Sequence, residues 1–239
     1  MKICVIGNSH VAAIKLAYEA LGPNPPHKMT FFAGLGRRIA SFEASNGLLI
    51  PPADDHKIKF AISITSGGLT EINPALYDRI LVIGMCGALH KMVSTVSRPL
   101  SEGAKACAIT DYWQAAHLPA LLQNLRKITQ KPICVGAPPL LAEARQHDTS
   151  TGAYSSLISL SNSLFFKDFT AQFIGQPLDT IVNGNATEIS FSRMSERLIE
   201  GKGDFAVHHP EGENSHMNQS YGALWLKQYY EIIAAETKR

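Results

Sequence analysis

Short apolar runs alternate along this chain with stretches whose apolar positions recur at helical spacing. The runs at residues 2–6, 28–33, 79–84 and 132–137 are rich in β-branched and aromatic residues, and glycine or proline closes each of them. The unbroken apolar character of residues 79–84 (RILVIG) is typical of a strand covered on both faces of its sheet. We therefore predict four buried strands.

Helical periodicity fills much of the chain between and after these strands. A helix is expected directly after the first strand, and further helices over residues 109–129, over residues 153–172 and from Tyr221 onward, with a last strand at residues 179–182. This alternation predicts an α/β fold: a three-layer α/β/α sandwich of flavodoxin-like type with a mostly parallel central sheet.

Residues 45–75 fit the alternation less well. They contain β-like runs at residues 48–50 and 58–64, interrupted by Pro51-Pro52 and Gly67-Gly68. We interpret them as an excursion or a small hairpin within a single domain that spans residues 1–239.

Composition narrows the classes of function. Hydrophobic residues make up 45% of the chain and charged residues 18%, which is typical of a globular protein. The net charge of +2 gives no reason to expect a nucleic-acid partner. No apolar run approaches the roughly 20 residues that cross a bilayer, so no membrane partner is expected. Nothing in the sequence indicates an oligomeric state or a cofactor.

The amino-terminal residues and the spacing of the cysteines bear on the cellular compartment of the protein. Met1 leads straight into the first strand, without the small-residue cleavage site of a secretory signal, so we expect an unprocessed, cytoplasmic chain. The cysteines form no C-x-x-C pair, and we expect reduced, buried thiols (Cys4, Cys86, Cys107 and Cys134).

Ser9 is the first candidate for chemistry. It follows the first strand and precedes the first helix, at the sheet edge where parallel α/β folds gather their ligands. The amino end of the helix favours developing negative charge there. The alternative is that Ser9 is only the N-cap of that helix.

A second candidate segment lies just before the last helix. A nucleophilic serine needs a base within hydrogen-bond reach, and the base needs an orienting acceptor. Glu213 and His216 supply both from one loop, and Asn218 and Tyr221-Gly222 follow them. His208-His209 lie nearby, but no further ligand at zinc spacing accompanies them, so we expect a solvated loop and no metal site.

Together the two ends resemble the SGNH/GDSL hydrolase superfamily. Those enzymes carry a Gly-Asp-Ser motif after the first strand and an Asp-x-x-His motif before the final helix. Here the motifs read Gly7-Asn8-Ser9-His10 and Glu213-Asn214-Ser215-His216, with Asn and Glu in place of the two aspartates.

The resemblance also implies an oxyanion hole. Its backbone donors would be Ser9 and Gly36, with Gly34 as the weaker choice for the second. The family's third donor is an asparagine side chain, but Cys86 stands at that position in Gly84-Met85-Cys86-Gly87, and a thiol is a poor donor. The compensating group would be Asn8, His90 or a backbone N–H.

The implied activity is hydrolysis of a carboxylic ester by a Ser9–His216–Glu213 triad. A small acyl group on a sugar, glycan or other metabolite suits a compact cytoplasmic member. Two alternatives stay open: an acyltransferase on the same scaffold, and a binding protein whose catalytic apparatus has decayed, which the cysteine at position 86 motivates. His10 either faces a ligand or is placed in solvent or in packing, and Arg37-Arg38 either bind an anionic substrate group or are solvated.

Overall fold

A computed structural model describes residues 1–146, 150–198 and 207–237 of the chain. The strands are β1 (Lys2–Gly7), β2 (Lys28–Ala33), β3 (Glu43–Ser45), β4 (Leu48–Ile50), β5 (Arg79–Ile83), β6 (Ile133–Gly136), β7 (Ala142–Glu143), β8 (Ala171–Ile174), β9 (Ile181–Val182) and β10 (Ala186–Glu188). The α-helices are α1 (Val11–Glu19), α2 (His56–Ser66), α3 (Leu89–Val96), α4 (Glu102–Ala115), α5 (Leu118–Ile128), α6 (Gly152–Leu164) and α7 (Gln219–Thr237). None of these helices is both long and apolar enough to span a membrane.

The central sheet is parallel throughout, with the strand order β2-β1-β5-β6-β8. The chain passes from β1 outward to β2 and then returns to the other side of β1 to form β5. In sheets of this kind the ligand crevice lies at that reversal, beyond the carboxyl ends of the strands. Ser9 follows β1 there, and Cys86 follows β5, so the reversal places both residues at one edge.

Buried side chains fill both faces of this sheet. On one face α1 and α7 pack together, and Val11 and Trp225 join Val5 of β1 in one core cluster. On the other face α2 to α6 contribute to a second cluster, in which Trp113 accompanies Val82 of β5. These three layers confirm the predicted α/β/α sandwich.

The segment between β2 and β5 differs in part from its prediction. Residues 48–50 do form a hairpin, paired antiparallel with β3. The prediction of β structure at residues 58–64 was wrong, because these residues belong to α2. The Asp55 side chain accepts the Ile58 N–H at 3.0 Å and starts that helix, and Gly67 ends it with φ at +79°. α2 packs on β2 and is part of the second helical layer.

The single helix expected over residues 109–129 is two helices. α4 starts earlier, where the Ser101 hydroxyl oxygen accepts the Ala104 N–H at 3.2 Å. Pro119 lies in the first turn of α5, where its missing N–H is harmless; inside one continuous helix it would remove a backbone bond.

The predicted helix over residues 153–172 ends early, and the predicted last strand at residues 179–182 forms only over Ile181–Val182 and outside the central sheet. α6 stops at Leu164, and β8 supplies the fifth central strand. The Asn162 side chain bonds both backbone groups of Phe173, at 2.7 and 2.9 Å, and so occupies the outer edge of β8. β9 instead joins a small sheet in the order β7-β10-β9.

The cysteine prediction holds for two residues. Cys4 and Cys134 are buried free thiols, whereas Cys86 is half-buried and Cys107 is exposed on α4.

Candidate active site

Ser9 lies in the turn between β1 and α1. The Val11 N–H donates to the Asn8 carbonyl at 3.0 Å, and the Ala12 N–H donates to the Ser9 carbonyl at 3.1 Å. The N-cap position of α1 is His10, and its side chain makes no cap hydrogen bond. Within the described residues the Ser9 hydroxyl bonds no backbone N–H of α1, so it does not act as the N-cap.

The partner of that hydroxyl is His216. Ser9 Oγ and His216 Nε2 are 2.8 Å apart, across 207 residues of sequence. In the tautomer that carries its proton on Nδ1, Nε2 accepts a hydrogen bond from the serine hydroxyl. The two ends of the chain therefore meet as the sequence predicts.

Backbone bonds hold the loop that carries His216. The Ala142 N–H of β7 donates to the Asn214 carbonyl at 2.7 Å, and the Asn218 N–H donates to the Phe191 carbonyl at 2.7 Å. The small sheet that the sequence did not predict thus contributes one of the two anchors of the loop.

The end of this loop is also the start of α7, which lies against α1. Asn218 Oδ1 accepts the Tyr221 N–H at 3.2 Å. A Cβ on Gly222 would lie 2.0 Å from the Ala13 carbonyl oxygen, so glycine permits the close approach of the two helices. This approach brings the amino-terminal serine beside the carboxyl-terminal histidine.

Glu213 orients the imidazole from the same loop. Its Oε1 lies 3.2 Å from His216 Nδ1, and its Oε2 accepts the His216 N–H at 3.0 Å. Burial alone would raise the pKa of Glu213, but hydrogen bonds from Ser215 and His216 outweigh burial and lower it to about 2. The carboxylate is therefore ionised at neutral pH and can accept from Nδ1.

Ser215 is a residue of the site that the sequence did not single out as functional. Its N–H donates to Glu213 Oε1 at 2.8 Å, its hydroxyl hydrogen-bonds the same oxygen, and its Oγ lies 3.2 Å from His216 Nδ1. A serine one position before the histidine is the only signal the sequence gave.

The expected backbone donors for an oxyanion differ in availability. Gly34 donates its N–H to the Gly7 carbonyl at 3.2 Å, so that group is already engaged. The N–H groups of Ser9 and Gly36 have no acceptor within the described ranges, and Gly36 adopts a φ of +67°. Gly36 therefore fits the second donor position better than Gly34.

A cavity of about 440 Å³ opens beside this edge of the sheet. The residues that line it come from the ends of β1, β2 and β5 and from the segment between α4 and α5 (Asn8, Gly36, Arg37, Met85, Cys86, Gly87, Tyr112, Ala115, Ala116 and His117). Ser9 and His216 are not among the described lining residues, so the cavity lies next to the triad, with Asn8 directly preceding Ser9 in the chain. His90 is not among these lining residues; it lies in the first turn of α3, where its carbonyl accepts from Ser94.

Cys86 does not act as a thiolate here. Burial raises the pKa of its thiol to about 12, so the sulfur stays protonated. Tyr112 lies against it and donates its hydroxyl to the Gly87 carbonyl at 2.6 Å.

Two further histidines flank the ring of His216. His10 lies 5.2 Å from it between centroids, and His209 lies 4.0 Å away with the ring planes within 10°. Burial, and then the neighbouring His216, lower the pKa of His10 to about 3 and lower that of His209 as well. His10 is thus a neutral neighbour of the base, and His209 packs on the base instead of lying in a solvated loop.

His209, Glu213 and His216 also have metal-ligating atoms within 4.8 Å of one another. His209 and His216 stack with their ring planes nearly parallel, and because the nitrogen lone pairs lie in those planes they do not converge on one point. A tetrahedral ion would require one ring to turn away from this arrangement.

Comparison with known proteins finds solved structures that are similar to this chain at low sequence identity. No family model matches the chain, and no curated protein matches it. A carbohydrate esterase family 2 enzyme with a carbohydrate-binding domain from Corynascus thermopiles (Myceliophthora fergusii) is 16% identical, with a TM-score of 0.42, over 100% of this chain and 67% of that one. The periplasmic domain of a lipopolysaccharide acetyltransferase from Salmonella ser. Paratyphi A is 8% identical, with a TM-score of 0.45, over 98% and 83%. A putative arylesterase from Agrobacterium tumefaciens str. C58 is 11% identical, with a TM-score of 0.39, over 98% of each chain. Because the identities and TM-scores are this low, the functional inference rests on the geometry of the site.

Proposed function

We propose that the protein is a serine-dependent hydrolase of carboxylic esters. The observation that supports this most directly is the 2.8 Å contact between Ser9 Oγ and His216 Nε2 at the carboxyl edge of the sheet. Nucleophile, base and orienting carboxylate then follow one another within hydrogen-bond reach, which is the arrangement that activates a serine.

In the first half of the reaction Ser9 forms an acyl-enzyme. Ser9 Oγ attacks the ester carbonyl while His216 Nε2 takes the hydroxyl proton. The ester oxygen leaves as an alcohol when the imidazolium returns that proton to it. Glu213 accepts a hydrogen bond from the Nδ1–H group throughout while the proton stays on the ring, which keeps the productive tautomer and stabilises the imidazolium.

In the second half water replaces the alcohol. His216 Nε2 takes a proton from water, the hydroxide attacks the acyl carbonyl, and Ser9 recovers its proton as the carboxylic acid departs. In each half the free N–H groups of Ser9 and Gly36 are the backbone donors for the oxyanion.

The cavity suits a small ester. At about 440 Å³ it lies toward the small end of typical ligand pockets, and Met85, Cys86 and the alanines before His117 give it an apolar wall. A short acyl group, such as acetyl on a sugar or another metabolite, is the substrate class that we propose.

The test is turnover of 4-nitrophenyl acetate by wild-type, Ser9→Ala and Ser220→Ala proteins. Ser220 is an exposed serine at the start of α7, so its variant is a matched control. We expect Ser9→Ala to lose turnover and labelling by a fluorophosphonate probe, with Ser220→Ala unaffected. Equal turnover in Ser9→Ala and wild type would refute the assignment, and a folded wild type that neither labels nor turns over would favour a binding protein.

The same assay separates hydrolysis from acyl transfer. With an acceptor alcohol added, a hydrolase releases mainly free acid, whereas an acyltransferase forms the new ester. Quantifying both products by mass spectrometry decides between the two.

A further inference from the structure

The cavity beside Ser9 carries one permanent charge. Among its described lining residues, Arg37 is the only arginine or lysine and none is acidic. The other polar side chains there are Asn8, Tyr112 and His117, and the Tyr112 hydroxyl is engaged with Gly87. The described side chains that line the cavity therefore carry a net positive charge.

Arg37 and its neighbour Arg38 differ in their contacts. Arg38 Nε lies 3.9 Å from Asp55 Oδ2, so Arg38 has a carboxylate near it and lies outside the cavity. Within the described part of the chain, the guanidinium of Arg37 makes no hydrogen bond and no ion pair. Its five donors are available to a ligand.

Arg37 lies next to the proposed binding position of the ester carbonyl. It directly follows Gly36, whose free N–H is the second proposed oxyanion donor, and both residues line the same cavity. An ester whose carbonyl lies at Gly36 would bring its neighbouring atoms past the Arg37 side chain. A guanidinium binds carboxylate and phosphate groups through paired hydrogen bonds.

We propose that the cavity binds an anionic group of the substrate, a carboxylate or a phosphate, with Arg37 as its counter-ion. This inference rests on the proposed function and narrows it to esters that carry a negative charge on either the acyl or the alcohol part.

Two pairs of esters test the inference. Mono-4-nitrophenyl adipate against 4-nitrophenyl hexanoate places the charge on the acyl part, and 3-carboxy-4-nitrophenyl acetate against 4-nitrophenyl acetate places it on the alcohol. For wild-type, Arg37→Ala and Arg38→Ala proteins, kcat/KM is measured with each ester. Comparing one substrate across variants cancels differences in its intrinsic reactivity.

Arg37→Ala is expected to lower kcat/KM for the anionic member of at least one pair by roughly 10- to 100-fold, the loss expected for a hydrogen bond to a charged group. Its kcat/KM for the neutral member of that pair should fall by a clearly smaller factor, so that the preference for the charged ester is lost, and Arg38→Ala should match wild type with all four esters. The pair that responds identifies the part of the substrate that carries the charge.

The outcomes distinguish the two proposals. Suppose that the neutral esters are hydrolysed through Ser9, and that Arg37→Ala changes kcat/KM for all four esters by the same factor or leaves all four unchanged. The anion site is then refuted and the hydrolase assignment stands. If wild type hydrolyses none of them, the hydrolase assignment fails. Binding is then measured without turnover as the rise in Tm of Ser9→Ala protein with each ester, and an equal rise with charged and neutral esters overturns the anion site as well.

Discussion

At the scale of single residues, the Asn8 amide can supply the third hydrogen bond to the oxyanion, for which the Cys86 thiol is a poor donor. Asn8 Oδ1 accepts the His10 N–H at 3.2 Å, which sets the orientation of the amide. Its Nδ2 has no acceptor in the part of the chain that the structure describes, and Asn8 lines the cavity. A Cβ on Gly84 would come within 2.4 Å of Oδ1, so Gly84 leaves room for the Asn8 side chain. We expect Nδ2 to be the third oxyanion donor.

Asn8→Ala tests this role without adding a charge beside the oxyanion. The alanine removes the Nδ2 donor together with the oxygen that accepts the His10 N–H. We expect kcat to fall about 10²- to 10³-fold with little change in KM, because the lost bond forms mainly in the transition state. Steady-state kinetics measures this, and an unchanged melting curve by circular dichroism shows that the fold is intact. A variant with wild-type kcat would exclude the amide from the oxyanion hole.

The sequence alone identified the candidate residues that can be found from residue type and from position in the chain. Ser9, Glu213 and His216 stand in motifs at recognisable places. The contributions of Ser215 and His209 depend on how one loop folds back on itself, which residue type does not encode.

At the scale of elements, the pairing of α1 with α7 decides whether the site forms. Gly222 has no room for a methyl group because the backbone of Ala13 lies against it. A shift of either helix would move the loop that precedes α7, and with it His216.

Gly222→Ala should therefore lower the free energy of unfolding by about 1–3 kcal/mol, the usual cost of overpacking a well-packed contact. Gly103→Ala in α4 is the matched control, since no atom outside its immediate neighbourhood lies within 4 Å of a Cβ there. We expect no loss of stability for the control, because alanine favours helix. Urea denaturation of both variants measures the difference, and equal stability of Gly222→Ala and wild type would contradict the tight contact.

Element prediction failed where two patterns coincide. Ile58, Phe60, Ile62 and Ile64 alternate as in a strand, yet α2 buries Ile58 and Ile62 and leaves Phe60 46% exposed. The cap at Asp55 and the helix stop at Gly67 outweigh the alternation. The unbroken apolar runs of β1, β5 and β6 left no such ambiguity, whereas the start of β8, which contains Gln172, was predicted as the end of a helix.

At the scale of the whole molecule, ionisable groups of the site couple stability to pH, among them His10, Glu213 and His209, whose pKa values all lie below their usual range. His10 has a pKa of about 3 and is faced by His216, His209 and Glu213, and Glu213 itself has a pKa of about 2. Unfolded histidine titrates near 6.5 and unfolded glutamate near 4.5. In both cases the unfolded chain binds the proton more readily than the folded one.

Stability should therefore decrease as the pH falls, from 6.5 toward 3 through His10 and from 4.5 toward 2 through Glu213. The difference in unfolding free energy between wild type and His10→Gln, measured by urea denaturation at a series of pH values, isolates the first contribution. We expect the His10→Gln curve to be flatter between pH 6.5 and 4. Parallel curves for the two proteins would show that His10 takes up its proton equally in both states.

The meeting of Ser9 with His216 also has a consequence for synthesis. A ribosome releases the amino-terminal serine long before the histidine is translated, so a growing or prematurely terminated chain holds the proposed nucleophile without its base. Under the proposed mechanism such fragments are inert toward esters, and reactivity begins only when the final helix settles against the first.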